Sequence, residues 1–246
     1  MPALPDVIVI GAMKCATSAV HAYLDAHPDV AMSRPKELNF FNGPETAPHD
    51  PGTWWRHGQW HRGCTWYADQ FDPDVAVRGE ASPAYTAPRS TEVPARMARV
   101  VPDVRLVYLV RDPLERALSQ WAHHRRDGTE PRPVAQALLD PASEYVARSR
   151  YHERLEPFLP WFDRRQVLVV VTERLASRYR AEVARLFGHV GVDPARGEPG
   201  PGRPVHVGGG PVPTTTRLRE AFREQVGDDV ARLRGLLGDD LPEWDR

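Results

Sequence analysis

The segment Asp6 to Ser18, reading DVIVIGAMKCATS, constrains the fold more than any other stretch of the chain. Val7 to Ile10 form an apolar β-branched run without alternation, the pattern of a strand buried on both faces of a parallel sheet. Gly11 closes the run. A short loop carries Lys14, and Thr17-Ser18 open an amphipathic stretch with Val20, Tyr23 and Leu24. Strand, tight loop and helix N-terminus together form a phosphate-binding geometry, because loop N–H groups and the positive end of the helix dipole point to one place. A buried strand feeding an ordinary helix has the same outline. Lysine usage favours the phosphate reading: among 32 Lys and Arg residues only Lys14 and Lys36 are lysine. The Walker pattern GxxxxGK[ST] is absent. Lys14 follows Gly11 by three residues and precedes Thr17 by three, which predicts a phosphate loop not built for NTP hydrolysis.

The rest of the pattern extends this unit into an α/β fold. Val104 to Val110 and Val167 to Val171 are further buried-strand runs, and Val75 to Glu80 is a shorter one ending in a carboxylate. Helices are expected over Thr17–Ala26, Thr91–Val100, Pro113–Arg126, Val134–Leu139, Ser143–Phe162 with a break at Pro157, and Tyr179–Val190. A last helical stretch, Thr214–Leu237, is interrupted near Gly227. Pro113 suits the first turn of its helix. Asn42–Gly63 reads as a long loop, and residues 196–213 form a Gly/Pro-rich connection. Strands alternating with helices predict three layers, a mostly parallel central sheet with helices on both faces. At 246 residues the expectation is a single domain, 1–246.

Bulk properties exclude several classes. A formal net charge of −1 argues against a nucleic-acid partner. No apolar run of about 18 residues marks a membrane span, and the N-terminus lacks a signal-peptide pattern. Cys15 and Cys64 do not make a disulfide framework, so free thiols in a reducing, cytoplasmic setting are expected. Cys/His spacing for zinc is absent, and no metal is called for.

Several residues are candidates for chemistry. Arg111 ends the Val104–Val110 strand, where open parallel sheets bind ligands, and Ser119 lies on the following helix. Full helical geometry puts Ser119 about 12 Å along the axis from Arg111. Arg111 suits a second anion, or pairs with Asp112 or Glu115 at the surface. Glu37, next to Leu38-Asn39-Phe40-Phe41, is either a partly desolvated general base or a solvated loop carboxylate. Glu80 is the alternative base on the same logic. His123 and His124 lie one turn beyond Ser119, on a solvated basic face or on the rim of an acceptor site.

Together these segments resemble the PAPS-dependent sulfotransferases, in the branch that includes heparan sulfate N- and 3-O-sulfotransferases and bacterial relatives. Ile10 to Ser18 is similar to that family's 5′-phosphosulfate loop, and Glu37 to Phe41 to its Glu-x-x-Phe-Phe. Gly63-Cys64-Thr65-Trp66-Tyr67 resembles its Gly-x-x-Trp-Tyr. Glu80-Ala81-Ser82-Pro83-Ala84-Tyr85 resembles its Glu-Lys-x-Pro-x-Tyr. Leu106 to Ser119 is similar to its 3′-phosphate motif. The resemblance covers residues 6 to 190 and, more weakly, the C-terminal helix ending in Leu241 to Trp244. Ala16 stands where the family usually has Gly, and Ala81 where the heparan branch has Lys. His206 to Gly210 stands in for the Lys/Gly-rich loop of that branch.

The resemblance implies the P-loop-like sulfotransferase fold and the donor 3′-phosphoadenosine 5′-phosphosulfate (PAPS). It implies Lys14 and Glu37 as catalytic residues. Lys14, Cys15, Ala16, Thr17, Ser18, Arg111, Ser119, Gly208 and Gly209 are implied as donor contacts, and His123 and Glu80 as acceptor contacts. The acceptor would be a hydroxyl or amine of a small molecule or carbohydrate. A P-loop kinase using ATP, or a nucleotide-binding protein without catalysis, is the alternative. Nothing in the composition names the acceptor or the oligomeric state.

Overall fold

The computed structural model describes residues 3–47, 58–197 and 212–245. Five strands form one parallel sheet in the order β2-β3-β1-β4-β5. They are β1 (Val7–Gly11), β2 (Val30–Met32), β3 (Val77–Ala81), β4 (Arg105–Val110) and β5 (Val167–Val171). β1 is central and buried along its whole length, as its unbroken apolar run predicts. Its register places Val7 between Gly79 of β3 and Arg105 of β4. Helices cover the two faces. Among them are α1 (Thr17–Asp25), which follows the Lys14 loop, and the helix Pro113–Arg126 after β4. Among the described residues no helix is long and apolar enough to cross a membrane.

Gly11 is required by close approach: a Cβ there would lie 2.1 Å from the Thr86 hydroxyl oxygen. The main core surrounds the sheet. A second apolar cluster joins Leu114, Ala117 and Leu118 to Leu138, Tyr145, Phe222 and Val226. Arg116, fully buried, donates to Ser149 Oγ, Gln120 Oε1 and the Tyr145 carbonyl at 2.7–2.8 Å, and so ties these helices together.

Three expected features differ. β2 has three residues and no readable pattern of its own; pairing with β3 makes it a strand. The stretch expected as Ser143–Phe162 is two short helices, Glu144–Ala147 and Tyr151–Leu155, with a short 3₁₀ turn after them. The break falls near Arg150 because Asp229 accepts from the amides of His152 and Glu153 at 3.0 and 2.8 Å and caps a new N-terminus there. The last helix runs unbroken from Thr216 to Leu237 through Gly227. Its buried stripe of Leu218, Phe222, Val226, Asp229 and Leu233 outweighs the roughly 1 kcal/mol cost of one helical Gly.

Candidate active site

Connections from β1 and β4 leave to opposite sides of the sheet, because β2 and β3 lie on one side of β1 and β4 and β5 on the other. The crevice outside the carboxyl ends of such strands is where open parallel sheets bind ligands. The 11–18 loop and Arg111 both emerge there. Ala12 N–H donates to the Leu109 carbonyl at 2.8 Å and ties the loop to β4.

The loop is tightly curled. Lys14 and Ala16 both have left-handed backbones, with φ of 69° and 64°, on either side of Cys15. Alternation of this kind turns N–H groups toward one concave side. Ala16 is the N-cap of α1, and no side chain caps the helix. Its first-turn amides are therefore left for another acceptor, at the positive end of the helix dipole. The left-handed φ is the physical reason Gly suits position 16, since a Cβ there costs about 1–2 kcal/mol. Thr17 is buried and Ser18 half-buried. Burial pushes the Cys15 thiol up to about 11, so this side chain packs as a neutral group. Burial also pushes the half-buried Lys14 ammonium below the usual lysine range. Arg126 and Arg111 push the same way, and Asp127 opposes them. These neighbours make the mouth of the loop electropositive.

On the β4 side, Asp112 caps the Pro113–Arg126 helix by accepting from Glu115 N–H at 2.9 Å. The helix starts only at Pro113, so Ser119 lies roughly 9 Å along its axis from that residue, and Arg111 precedes the helix by a non-helical turn. Arg111 is half-buried, with Nη2 3.7 Å from Glu115 Oε2, which is the surface pair expected as the alternative. Arg219 of the last helix reaches the same carboxylate at 3.9 Å. His123 Nε2 lies 3.3 Å from Asp127 Oδ2. Burial and the Lys14 charge together push its pKa down.

Glu37 is held at the end of β3, its N–H donating to the Ala81 carbonyl at 3.1 Å. Its side chain is 47 % exposed and accepts from Lys36 Nζ at 2.5 Å. The expected desolvation by Phe40 and Phe41 is not seen, because both rings turn into the core. There Phe40 stacks on Tyr67 at 4.1 Å and Phe41 meets Tyr85 edge-on.

Glu80 departs from its expected place at the acceptor. It has no exposed surface. Oε1 accepts from Tyr67 and Tyr85 hydroxyls at 2.6 and 2.8 Å, and Oε2 from Ser82 Oγ at 3.0 Å. Ser82 Oγ in turn accepts from Asn39 N–H at 3.0 Å. Burial pushes the Glu80 carboxyl up to about 7, against the opposing pull of the three hydroxyls. A group so enclosed holds the Glu37–Phe41 segment through Ser82 and has no surface on which to meet an acceptor. Gly208 and Gly209 lie outside the described residues.

Sequence reasoning missed Tyr151, Thr172 and Glu173. Thr172 Oγ1 donates to the Cys15 carbonyl at 3.2 Å, Glu173 Oε1 accepts from Asp112 N–H at 2.8 Å, and Arg111 N–H donates to the Tyr151 hydroxyl at 3.3 Å. Thr172 and Glu173 follow directly on β5 and open the helix Thr172–Ser177, so the rule that pointed to Arg111 just after β4 would have found them.

Residues 5–195 match the family model described as the sulfotransferase family. The chain belongs to that family. It is 30% identical over 199 residues to mouse heparan sulfate glucosamine 3-O-sulfotransferase 3B1, covering 77% of this chain and 46% of that protein. It is 26% identical over 215 residues to bovine bifunctional heparan sulfate N-deacetylase/N-sulfotransferase 2, covering 78% and 22%. The chain thus spans less than half the length of these curated relatives. A sulfotransferase crystal structure from Alicyclobacillus acidocaldarius superposes with a TM-score of 0.79 at 28% identity, over 98% of this chain and 99% of that one. The sulfotransferase domain of the Synechococcus PCC 7002 olefin synthase shares the fold, with a TM-score of 0.56 at 13% identity over 91% and 94%.

Proposed function

We propose that this member of the sulfotransferase family transfers a sulfuryl group from PAPS to a hydroxyl or amine of a small-molecule or carbohydrate acceptor. The observation that supports the reading is that three segments leave the carboxyl ends of neighbouring strands β1, β3 and β4 at one edge of the sheet. They are an uncapped helix N-terminus with Lys14, an accessible carboxylate at Glu37, and Arg111 beside the helix that bears Ser119. When bound, the donor supplies an activated sulfuryl group and departs as adenosine 3′,5′-bisphosphate. Amides of residues 16–18 and the Thr17 and Ser18 hydroxyls hold the 5′-phosphate, the Cys15 N–H being taken by the Ala12 carbonyl at 3.2 Å. Arg111, with its planar fork of donors, and Ser119 hold the 3′-phosphate. Glu37 takes the acceptor's proton, and its Lys36 partner orients it. Lys14 faces the negative charge that develops on the leaving side.

His123, oriented by Asp127, and Arg126 line the acceptor side of Lys14. The Arg126 charge and the His123 ring nitrogens favour a polar or anionic acceptor. The heparan sulfate in the names of the two curated relatives makes a sugar hydroxyl or amine the first class to try. Free thiols at Cys15 and Cys64 suit a reducing, cytoplasmic compartment.

The test is transfer of radiolabelled sulfate from PAPS to a panel of hydroxylated and aminated acceptors. Wild type labels at least one acceptor, while Lys14→Ala and Glu37→Ala do not. Labelling by both variants at the wild-type rate sinks the role assignments.

A further inference from the structure

β1 and β4 are hydrogen-bonded neighbours, and the Ala12–Leu109 bond lies at the mouth of the crevice. Beyond it the Lys14 loop and the Arg111 turn leave the sheet. What holds them at a set distance after that point is side chains from a third region. Thr172 Oγ1 donates to the Cys15 carbonyl at 3.2 Å, and the adjacent Glu173 accepts from Asp112 N–H at 2.8 Å. Two consecutive residues thus grip one loop each. Tyr151 spans the same gap with one atom: its hydroxyl lies 3.5 Å from Cys15 Sγ and accepts from Arg111 N–H at 3.3 Å. Tyr151 is fully buried, so water does not compete for these bonds. Three of the four contacts are made to loop backbone, so a shift of the brace moves the loops themselves.

The C-terminal segment locks the brace. Trp244 Nε1–H donates to the second Glu173 oxygen, Oε2, at 3.3 Å, and the Trp244 ring lies 5.9 Å from the Tyr151 ring. Arg174 clamps that segment, with Nε 2.8 Å from Glu243 Oε1 and Nη2 2.8 Å from Asp239 Oδ1. Both Glu173 oxygens therefore accept from fixed N–H donors. An ionised carboxylate satisfies both at once; an amide presents its NH₂ group to one of them.

We infer that Thr172, Glu173 and Tyr151 are positioning residues that fix the span between the two anion loops, with the C-terminal Trp244 holding Glu173 in place. This rests on the sulfotransferase reading, in which the Lys14 loop takes the 5′-phosphate and the Arg111 side takes the 3′-phosphate. Glu173 grips only the Arg111 side. Its loss weakens ligands that need both loops and spares those that need one. Thr172 grips the Lys14 loop, so its loss weakens both kinds of ligand alike.

The experiment is calorimetric titration of the full chain with adenosine 3′,5′-bisphosphate and with adenosine 5′-monophosphate, comparing the ratio of the two Kd values. A partly unfolded preparation lowers the measured stoichiometry and leaves each Kd intact. Glu173→Gln reduces the preference for the bisphosphate about tenfold, the scale of one lost hydrogen bond to a charged group. Glu173→Ala reduces it further. Trp244→Phe keeps the ring, deletes the N–H donor and gives a smaller loss, about threefold. Thr172→Val weakens both ligands and leaves the ratio unchanged. An unchanged ratio in Glu173→Gln and Trp244→Phe overturns the inference while leaving the donor reading intact. A wild-type protein with no preference for the bisphosphate overturns the donor reading, and the inference with it.

Discussion

Glu37 and Glu80 both open motifs at the carboxyl end of the sheet, yet their surroundings are opposite. Glu37 is half exposed and meets one ammonium, Lys36. Glu80 has no exposed surface and meets three hydroxyls. The two regions are joined, since Ser82 Oγ donates to Glu80 and accepts from Asn39, two residues beyond Glu37. Access to solvent separates the roles proposed for them: a proton acceptor has to reach its substrate, whereas a tether has to be enclosed. Residue type alone assigns neither role.

The largest effect expected from this contrast is on rate. Glu37→Gln lowers sulfuryl transfer by about 10²–10⁴-fold, the usual contribution of a general base, and leaves the unfolding free energy within about 0.5 kcal/mol. Transfer assays and urea melts on one preparation check both halves; a large loss of stability would move Glu37 into the tether class. Glu80→Ala shows the reverse balance. It strands the Tyr67, Tyr85 and Ser82 hydroxyls in the core and costs on the order of 3 kcal/mol or more. An equilibrium urea melt that shows a negligible change removes the tether role.

The third expectation concerns pH. The folded-state pKa of Glu80 is raised from the ordinary 4.5 to about 7, so the folded chain holds this proton more tightly than the unfolded chain. The resulting stability is fully present below about pH 4.5 and is lost as pH rises through about 7. Between those values the wild type loses up to about 1.4 kcal/mol per pH unit from this group. Glu80→Gln removes that slope. Identical pH dependence in the two proteins, measured by urea denaturation from pH 5 to 8, contradicts the burial argument. The smallest effect is at Ala16. Ala16→Gly relieves a left-handed backbone at φ 64° and raises stability by up to about 1 kcal/mol. A fall in stability would mean that the loop does not hold this conformation.

How far these regions were legible depends on what each signal needs. β1, β4 and β5 announce themselves because continuous β-branched runs have one comfortable home, a buried parallel strand. The Lys14 loop and Arg111 follow from where such strands end. The enclosure of Glu80 is not legible in its own motif: Ser82 and Tyr85 lie in it, but Tyr67, which closes the ring of hydroxyls, comes from another segment, and enclosure has no local signature. That position 16 suits Gly was visible only through the family resemblance, and its cause was not, since a φ angle is set by how the loop returns into α1. The unbroken helix through Gly227 was hidden for a related reason: the packing that stabilises it comes from residues far away in sequence, around Leu114 and Tyr145.

The proposed reaction depends most directly on which nucleotide this crevice selects. Calorimetric titration of the wild-type chain with adenosine 3′,5′-bisphosphate, and separately with ATP and Mg²⁺, decides it. The bisphosphate is expected to bind at least about tenfold more tightly, because Arg111 and Ser119 are proposed to form a second phosphate site that ATP does not fill. Tighter binding of ATP with Mg²⁺ would contradict the assignment of that site and with it the proposed reaction.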